Sequence, residues 1–162
     1  MTVMHLHLRP ATAADIPFIT ACIRELADFE GLSHQVTGRA EDLERHLFGE
    51  PRYCQATIAE WDGEPAAYTL SFFNYSTFRM QPGLYLEDLY VRPGFRRRGI
   101  ATALLRHLAR QAVDLGCARF EWSVLDWNAN AIATYEGLGA TILPDWRICR
   151  LEGQPLAHLA QP

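Results

Sequence analysis

Residues 84–105, LYLEDLYVRPGFRRRGIATALL, constrain this chain more than any other stretch. They read as an apolar strand, a turn rich in Gly and Arg, and the start of an amphipathic helix. The helical stripe continues through Leu104, Leu105, Leu108, Ala112 and Leu115,. A strand feeding a long helix calls for a crossover to a parallel strand, and Arg119 to Leu125 supplies one. The first strand carries two adjacent carboxylates, Glu87 and Asp88. Burying a carboxylate is costly without a partner. The turn carries three consecutive arginines, Arg96 to Arg98, and then Gly99. A helix start offers unpaired backbone N–H groups and the positive end of a dipole. Glycine lets backbone approach a ligand, and arginine supplies forked donors for phosphate oxygens. The stretch therefore predicts a site for a phosphorylated cofactor, with carboxylates nearby that suit a cationic group. It lacks the Lys-Ser/Thr ending of a P-loop and is not GxGxxG, which disfavours nucleotide hydrolysis and a dinucleotide fold.

The rest of the chain supplies the frame. His5 to Arg9 alternates and predicts a first strand; His5 and His7 share a face but lack a third metal ligand at clear spacing, so no metal is expected,. Thr12 to Asp15 offers caps for a helix carrying Ile16, Ile19, Cys22, Ile23 and Leu26, ended by Gly31,. Glu41 to Phe48 predicts a short helix. Tyr53 to Glu60 and Pro65 to Phe73 predict strands joined through Asp62-Gly63, and Asn74 to Gly83 a polar loop,. After Gly116 and the parallel strand come a helix over Ala131 to Leu138 and short strands over Ala140 to Leu143 and Arg147 to Leu151. A hairpin together with a crossover predicts an α/β chain of the mixed α+β kind. Its central sheet is mixed and mostly antiparallel, with helices on both faces.

The 162 residues suit one domain, 1–162, and no linker divides them,. The net charge of −4 disfavours nucleic acid as a partner,. No run approaches the roughly 18 apolar residues that span a bilayer, and MTVMHLHLRP lacks the pattern of a secretory leader,. Four scattered cysteines without CxxC spacing fit a reducing cytoplasm,. Every basic side chain other than histidine is arginine.

Arg-x-x-Gly-x-Ala after a strand and opening a helix resembles the acyl-CoA pyrophosphate loop of the GCN5-related N-acetyltransferases. LYLEDLYV, the later WNANAIATYEGLGA and the N-terminal ELADFE are similar to the diamine (spermidine/spermine) N1-acetyltransferases within that superfamily. The resemblance covers nearly the whole chain. It implies the acyl-CoA N-acyltransferase fold, acetyl-CoA as cofactor and a homodimer. It also implies that Leu89, Tyr90 and Val91 pair by backbone with the pantetheine arm. Arg96 takes the first position of the loop, and Arg97, Arg98, Gly99, Ile100, Ala101 and Thr102 hold the pyrophosphate. Asn128, Ala129, Asn130 and Ala131 contact the cofactor near its thiol. Tyr135 matches the tyrosine that protonates the leaving thiolate, and Glu87 the carboxylate that binds substrate and accepts its proton. Phe29 and Glu30 match an aromatic-acidic pair that binds the amine.

The residues agree with this. An aliphatic amine near pKa ~10 is protonated at neutral pH and needs a proton acceptor, for which Glu87 is the candidate. In a regular strand Glu87 and Asp88 face opposite sides, so only one can point into a given cleft; Asp88, also a candidate for substrate binding, is read as a supporting residue facing the other side of the strand. Phe78, Glu121 and Trp122 are candidate walls of the amine pocket. Where the polyamine enzymes carry further acids after Phe29-Glu30, this chain reads Gly31-Leu32-Ser33-His34. That favours a shorter diamine or a lysine-like amine. The expected reaction is direct attack of a small primary amine on the acetyl group. A protein or peptide acetyltransferase and a non-catalytic acyl-CoA sensor are the alternatives.

Overall fold

The computed structural model describes residues 5–162. Residues 1–4, part of the stretch read as carrying no leader pattern, lie outside the described residues. The chain divides into two compact units, residues 1–123 and 124–162.

The first unit is built on one five-stranded sheet in the order β1-β2-β3-β4-β5. Its strands are β1 (Leu6–Pro10), β2 (Gln55–Trp61), β3 (Glu64–Ser76), β4 (Gln81–Val91) and β5 (Arg119–Trp122). The first three pairings are antiparallel and β4–β5 is parallel, as the crossover requires. Helices α1 (Ile16–Glu30) and α2 (Ala40–Phe48) cover one face; α3 (Ile100–Asp114) covers the other. Two apolar clusters record this. Ile16, Ile19 and Cys22 of α1 pack with Leu47, Ile58, Tyr68 and Tyr90, whereas Ile100 and Leu104 of α3 pack with Ala59, Ala66 and Ala67. At α1's entry, Arg9 grips Asp15 with two bonds of 2.7 and 2.9 Å and Glu60 with a third of 2.7 Å. Strands β1 and β2 are thereby tied to the helix start. His5 and His7 stand on the exposed face of this edge, against Asp62 and Glu60.

Three local expectations change. The loop expected over Asn74 to Gly83 is mostly strand: β3 and β4 pair out to Ser76↔Gln81, and only residues 77–80 turn. Backbone pairing there outweighs the polar composition. Strand β5 stops at Trp122 instead of Leu125. In the second unit, α4 (Ala129–Gly137) forms, but Ala140 to Leu143 and Arg147 to Leu151 do not become strands. Apolar runs of four or five residues form strands only beside another strand, and the second unit contains none,. It adds instead α5 (Gly153–Leu159), which the apolar periodicity does not announce.

Candidate active site

Strand β4 positions the site through one irregularity. On β3, Leu70 lies opposite Asp88 and the next residue, Ser71, lies opposite Leu86. Glu87 is therefore an extra residue, a β-bulge in β4. Leu86 and Leu89 consequently oppose Ser71 and Thr69, which share a side of β3, so the two leucines lie on one face despite being three residues apart,. Asp88 goes to the opposite face, that of Tyr68 and α1. The simple alternation expected of Glu87 and Asp88 does not apply at this point.

The two carboxylates consequently have different surroundings. Glu87 is exposed at the bulge. Asp88 is half-buried and accepts a 2.7 Å hydrogen bond from the Tyr68 hydroxyl, itself fully buried. Burial pushes the Asp88 carboxyl above its ordinary range, and the Tyr68 bond partly holds it down,. Burial also raises Glu30, at the end of α1, with the negative charge of Asp88 adding to the effect. Glu30 and Asp88 thus form an acidic pair on the α1 side of β4. Each is more basic than an ordinary carboxylate and suited to a cation.

Around this pair the end of α1 is pinned to β4. Arg92 binds Glu25 at 2.7 Å instead of Glu87 or Asp88. The Arg92 bond, more than any other effect, holds Glu25 below its ordinary range. Arg96 donates Nε to the Val91 carbonyl at 3.0 Å. Its guanidinium lies 5.5 Å from the Tyr90 ring centroid and 5.8 Å from that of Phe29, which is 53% exposed. Arg98 turns the other way, over Trp61 and Phe95 at 5.1 and 5.6 Å. Arg97 sits at φ +61°, a left-handed conformation unusual for a side-chain-bearing residue, and Gly99 at φ +76°,.

Two features test whether the chain fits an acyl-CoA. No side chain caps α3, and its first internal bond runs from the Ala103 N–H to the Gly99 carbonyl. The N–H groups of Ile100, Ala101 and Thr102 therefore have no acceptor within the helix. The β4–β5 ladder ends at Leu86↔Trp122, so the β5-facing edge of Glu87 to Val91 carries no strand. An uncapped helix start suits a pyrophosphate, and an open strand edge suits the amides of a pantetheine arm. Both features fit.

The structure brings Phe29, Glu30, Asp88, Tyr90 and Arg96 together. It does not bring Phe78 to them. Phe78 lies in the β3–β4 turn, 98% exposed, at the far end of the hairpin from Leu89 to Val91. Glu121 on β5 is held by Arg119 at 2.7 Å and by Asn74 at 3.3 Å, and Trp122 packs on Phe120 with ring centroids 4.9 Å apart. In the second unit, Asn128 caps α4 by accepting the Ala131 N–H at 3.2 Å. Ala129, Asn130 and Ala131 form the first turn, and Tyr135 is half-buried one turn beyond Ala131. Tyr68 and the Glu25–Arg92 pair escaped the sequence reading. Neither has a local signal, because their partners are 20 and 67 residues away.

Residues 20–140 match the Acetyltransferase (GNAT) family. The chain belongs to this family. It is 38% identical over 94% of its length to the thialysine N-epsilon-acetyltransferase of Bos taurus, covering 96% of that protein. It is 31% identical over 94% of its length to the L-ornithine N5-acetyltransferase of Arabidopsis thaliana, covering 87% of it. Its fold matches an integron cassette protein from the V. cholerae mobile metagenome at a TM-score of 0.81. That match covers 99% of this chain and all of the other, at 22% identity. The chain is an N-acetyltransferase, and its acetyl donor is acetyl-CoA.

Proposed function

We propose that this enzyme acetylates the side-chain amine of a small diamine or lysine-like amino acid, and that residues 1–162 act as one domain. The observation that carries the acceptor class is the Glu30–Asp88 pair beside the open edge of β4. Burial and mutual repulsion both penalise charge on these two carboxylates, and an ammonium bound beside them offsets that penalty. The names of the ornithine and thialysine enzymes support the same class, and the family match spans both compact units.

Bound acetyl-CoA supplies an acetyl group activated as a thioester. The N–H groups of Ile100, Ala101 and Thr102, with Arg97, would hold the pyrophosphate, and the outer edge of Leu89 to Val91 would orient the arm and offer donors to the acetyl carbonyl. Asp88 and Glu30 anchor the acceptor ammonium. Glu87, exposed at the bulge, takes its proton directly or through water, and the neutral nitrogen attacks. Tyr135, by its match to the family's tyrosine, would protonate the departing sulfur. Cys117 and Cys149 match no position of the active centre, which argues against a cysteine nucleophile.

We also infer a cytoplasmic homodimer. Trp146, Ile148 and Leu159 are 79, 75 and 71% exposed, and a unit of about 40 residues rarely encloses a core alone. All four cysteines are unpaired, as a reducing compartment requires,. Among the described residues no helix is long and apolar enough to cross a membrane. Light scattering after gel filtration should return twice the chain mass.

A thiol-release assay with acetyl-CoA over diamines, polyamines, basic amino acids and short peptides tests the proposal. Small diamines or basic amino acids should give the highest kcat/KM. A faster reaction with peptides would move the enzyme to another acceptor class.

A further inference from the structure

The Arg96 guanidinium occupies a position at odds with polyamine binding. The resemblance implies that the Phe29 ring faces an ammonium of the substrate. In this structure the ring already faces a cation belonging to the protein, 5.8 Å from its centroid. The same guanidinium lies 5.5 Å from Tyr90 and is held by the Val91 carbonyl at 3.0 Å through Nε. That bond uses Nε and not the two terminal amino groups of the fork. No carboxylate among the described residues forms a salt bridge to them. Glu25, the acid on the same helix face as Phe29, binds Arg92 at 2.7 Å and meets the Arg96 charge only through space, without a salt bridge to it,.

The charge pattern along this side of β4 is therefore dipolar. Asp88 and Tyr90 are two residues apart on one strand face, about 7 Å by strand rise,. Glu30 joins Asp88 at the negative end, and Arg96, over Tyr90 and Phe29, forms the positive end. A second or third ammonium of a long polyamine placed against Phe29 would meet Arg96 and be repelled. A carboxylate in that place would meet a planar fork built to bind it. A basic amino acid carries its side-chain ammonium several bonds away from its α-carboxylate, so the ammonium can reach the negative end while the carboxylate meets the positive one.

We propose that Arg96 is a specificity-determining residue that binds the α-carboxylate of the acceptor, making this enzyme selective for basic amino acids over the corresponding diamines. The inference rests on the reading of the site as an amine-acetylating centre. It assigns Arg96 a substrate role beyond its place in the cofactor loop.

The test compares substrates differing only in the carboxylate: lysine with 1,5-diaminopentane, and ornithine with 1,4-diaminobutane. Each is measured by thiol release with acetyl-CoA saturating. The wild type should favour the amino acid of each pair. Arg96→Gln should lower kcat/KM for the amino acids by about 10- to 100-fold relative to the diamines, the range of a lost charge-assisted bond. Arg96→Lys, which keeps the charge but not the fork, should lose less. Any effect of Arg96 on acetyl-CoA binding is common to both members of a pair and cancels in the ratio. A wild type preferring the diamines would overturn the proposal, and so would an unchanged ratio in Arg96→Gln. Failure to release thiol with all four amines would remove the underlying amine reading, and with it this inference.

Discussion

Replacing Tyr68 by Phe removes one hydroxyl from the fully buried ring and leaves Asp88 without its 2.7 Å donor. A hydrogen bond to a charged group contributes about 1.5–3 kcal/mol, and one pKa unit corresponds to about 1.4 kcal/mol. The Asp88 carboxyl, already pushed up by burial, should therefore rise further. The sign for stability follows from that direction. A carboxyl raised in the folded protein binds its proton more tightly there than in the unfolded chain. Its contribution is thus fully present below the unfolded value, near 4, and is lost as pH rises through the folded value. Tyr68→Phe carries that loss to higher pH. At neutral pH the variant should melt about 3–12 °C lower, from about 2–4 °C per kcal/mol for a chain of this size. The gap should narrow at acidic pH, where a neutral carboxylic acid loses only a weaker bond. If Asp88 anchors the ammonium, the acidic limb of kcat/KM for the amine should move up with it. Carboxyl NMR titration of Asp88, melting curves across pH and the kinetic profile measure one quantity in three ways. A melting difference independent of pH would refute the reasoning. The cost would then come from lost packing around the ring rather than from the charge on Asp88.

Tyr135→Phe should lower kcat by about 10²–10⁴-fold, the span of a lost general acid, while acetyl-CoA affinity by calorimetry stays near wild type. Glu87→Gln should slow the amine step most at neutral pH and least at high pH, where the amine is already deprotonated; a flat loss across pH would argue against proton transfer. Asp15→Asn breaks the pair with Arg9, and unfolding by urea should show a loss of about 3 kcal/mol. That is the low end for a buried pair, because Arg9 is 26% exposed. Arg9 holds the Asp15 carboxyl below its ordinary range, so wild-type stability from this group is present above pH ~4 and is lost as pH falls through the folded value; the variant should lack that acid-side loss. Arg97→Gly relieves a left-handed conformation costing about 1–2 kcal/mol. It should therefore leave the melting temperature unchanged or raised, while the KM for acetyl-CoA increases.

The strand–turn–helix of residues 84–105, the crossover to β5 and the helices on both faces were legible because each depends on short-range pattern: period two, then Gly and Arg, then period 3.6. The hairpin beyond Asn74 was not, since its polar side chains say loop while its backbone pairs with β4 regardless. The acidic pair was half legible. Glu30 and Asp88 can be named from the sequence, but their proximity depends on where α1 ends over the sheet. The bulge at Glu87 had left a trace that alternation alone overlooks. The aliphatic positions of LYLEDLYV fall at 84 and 86 and then at 89 and 91, a change of parity across Glu87-Asp88. An even-to-odd switch inside one strand keeps the same face buried only if one residue is inserted. That inserted residue is what lets Asp88 turn to Tyr68 and α1 while Leu89 stays on the face of α3. The same parity change therefore separates the surroundings of two adjacent carboxylates. One is half-buried against the Tyr68 hydroxyl, and the other is left exposed where the strand opens.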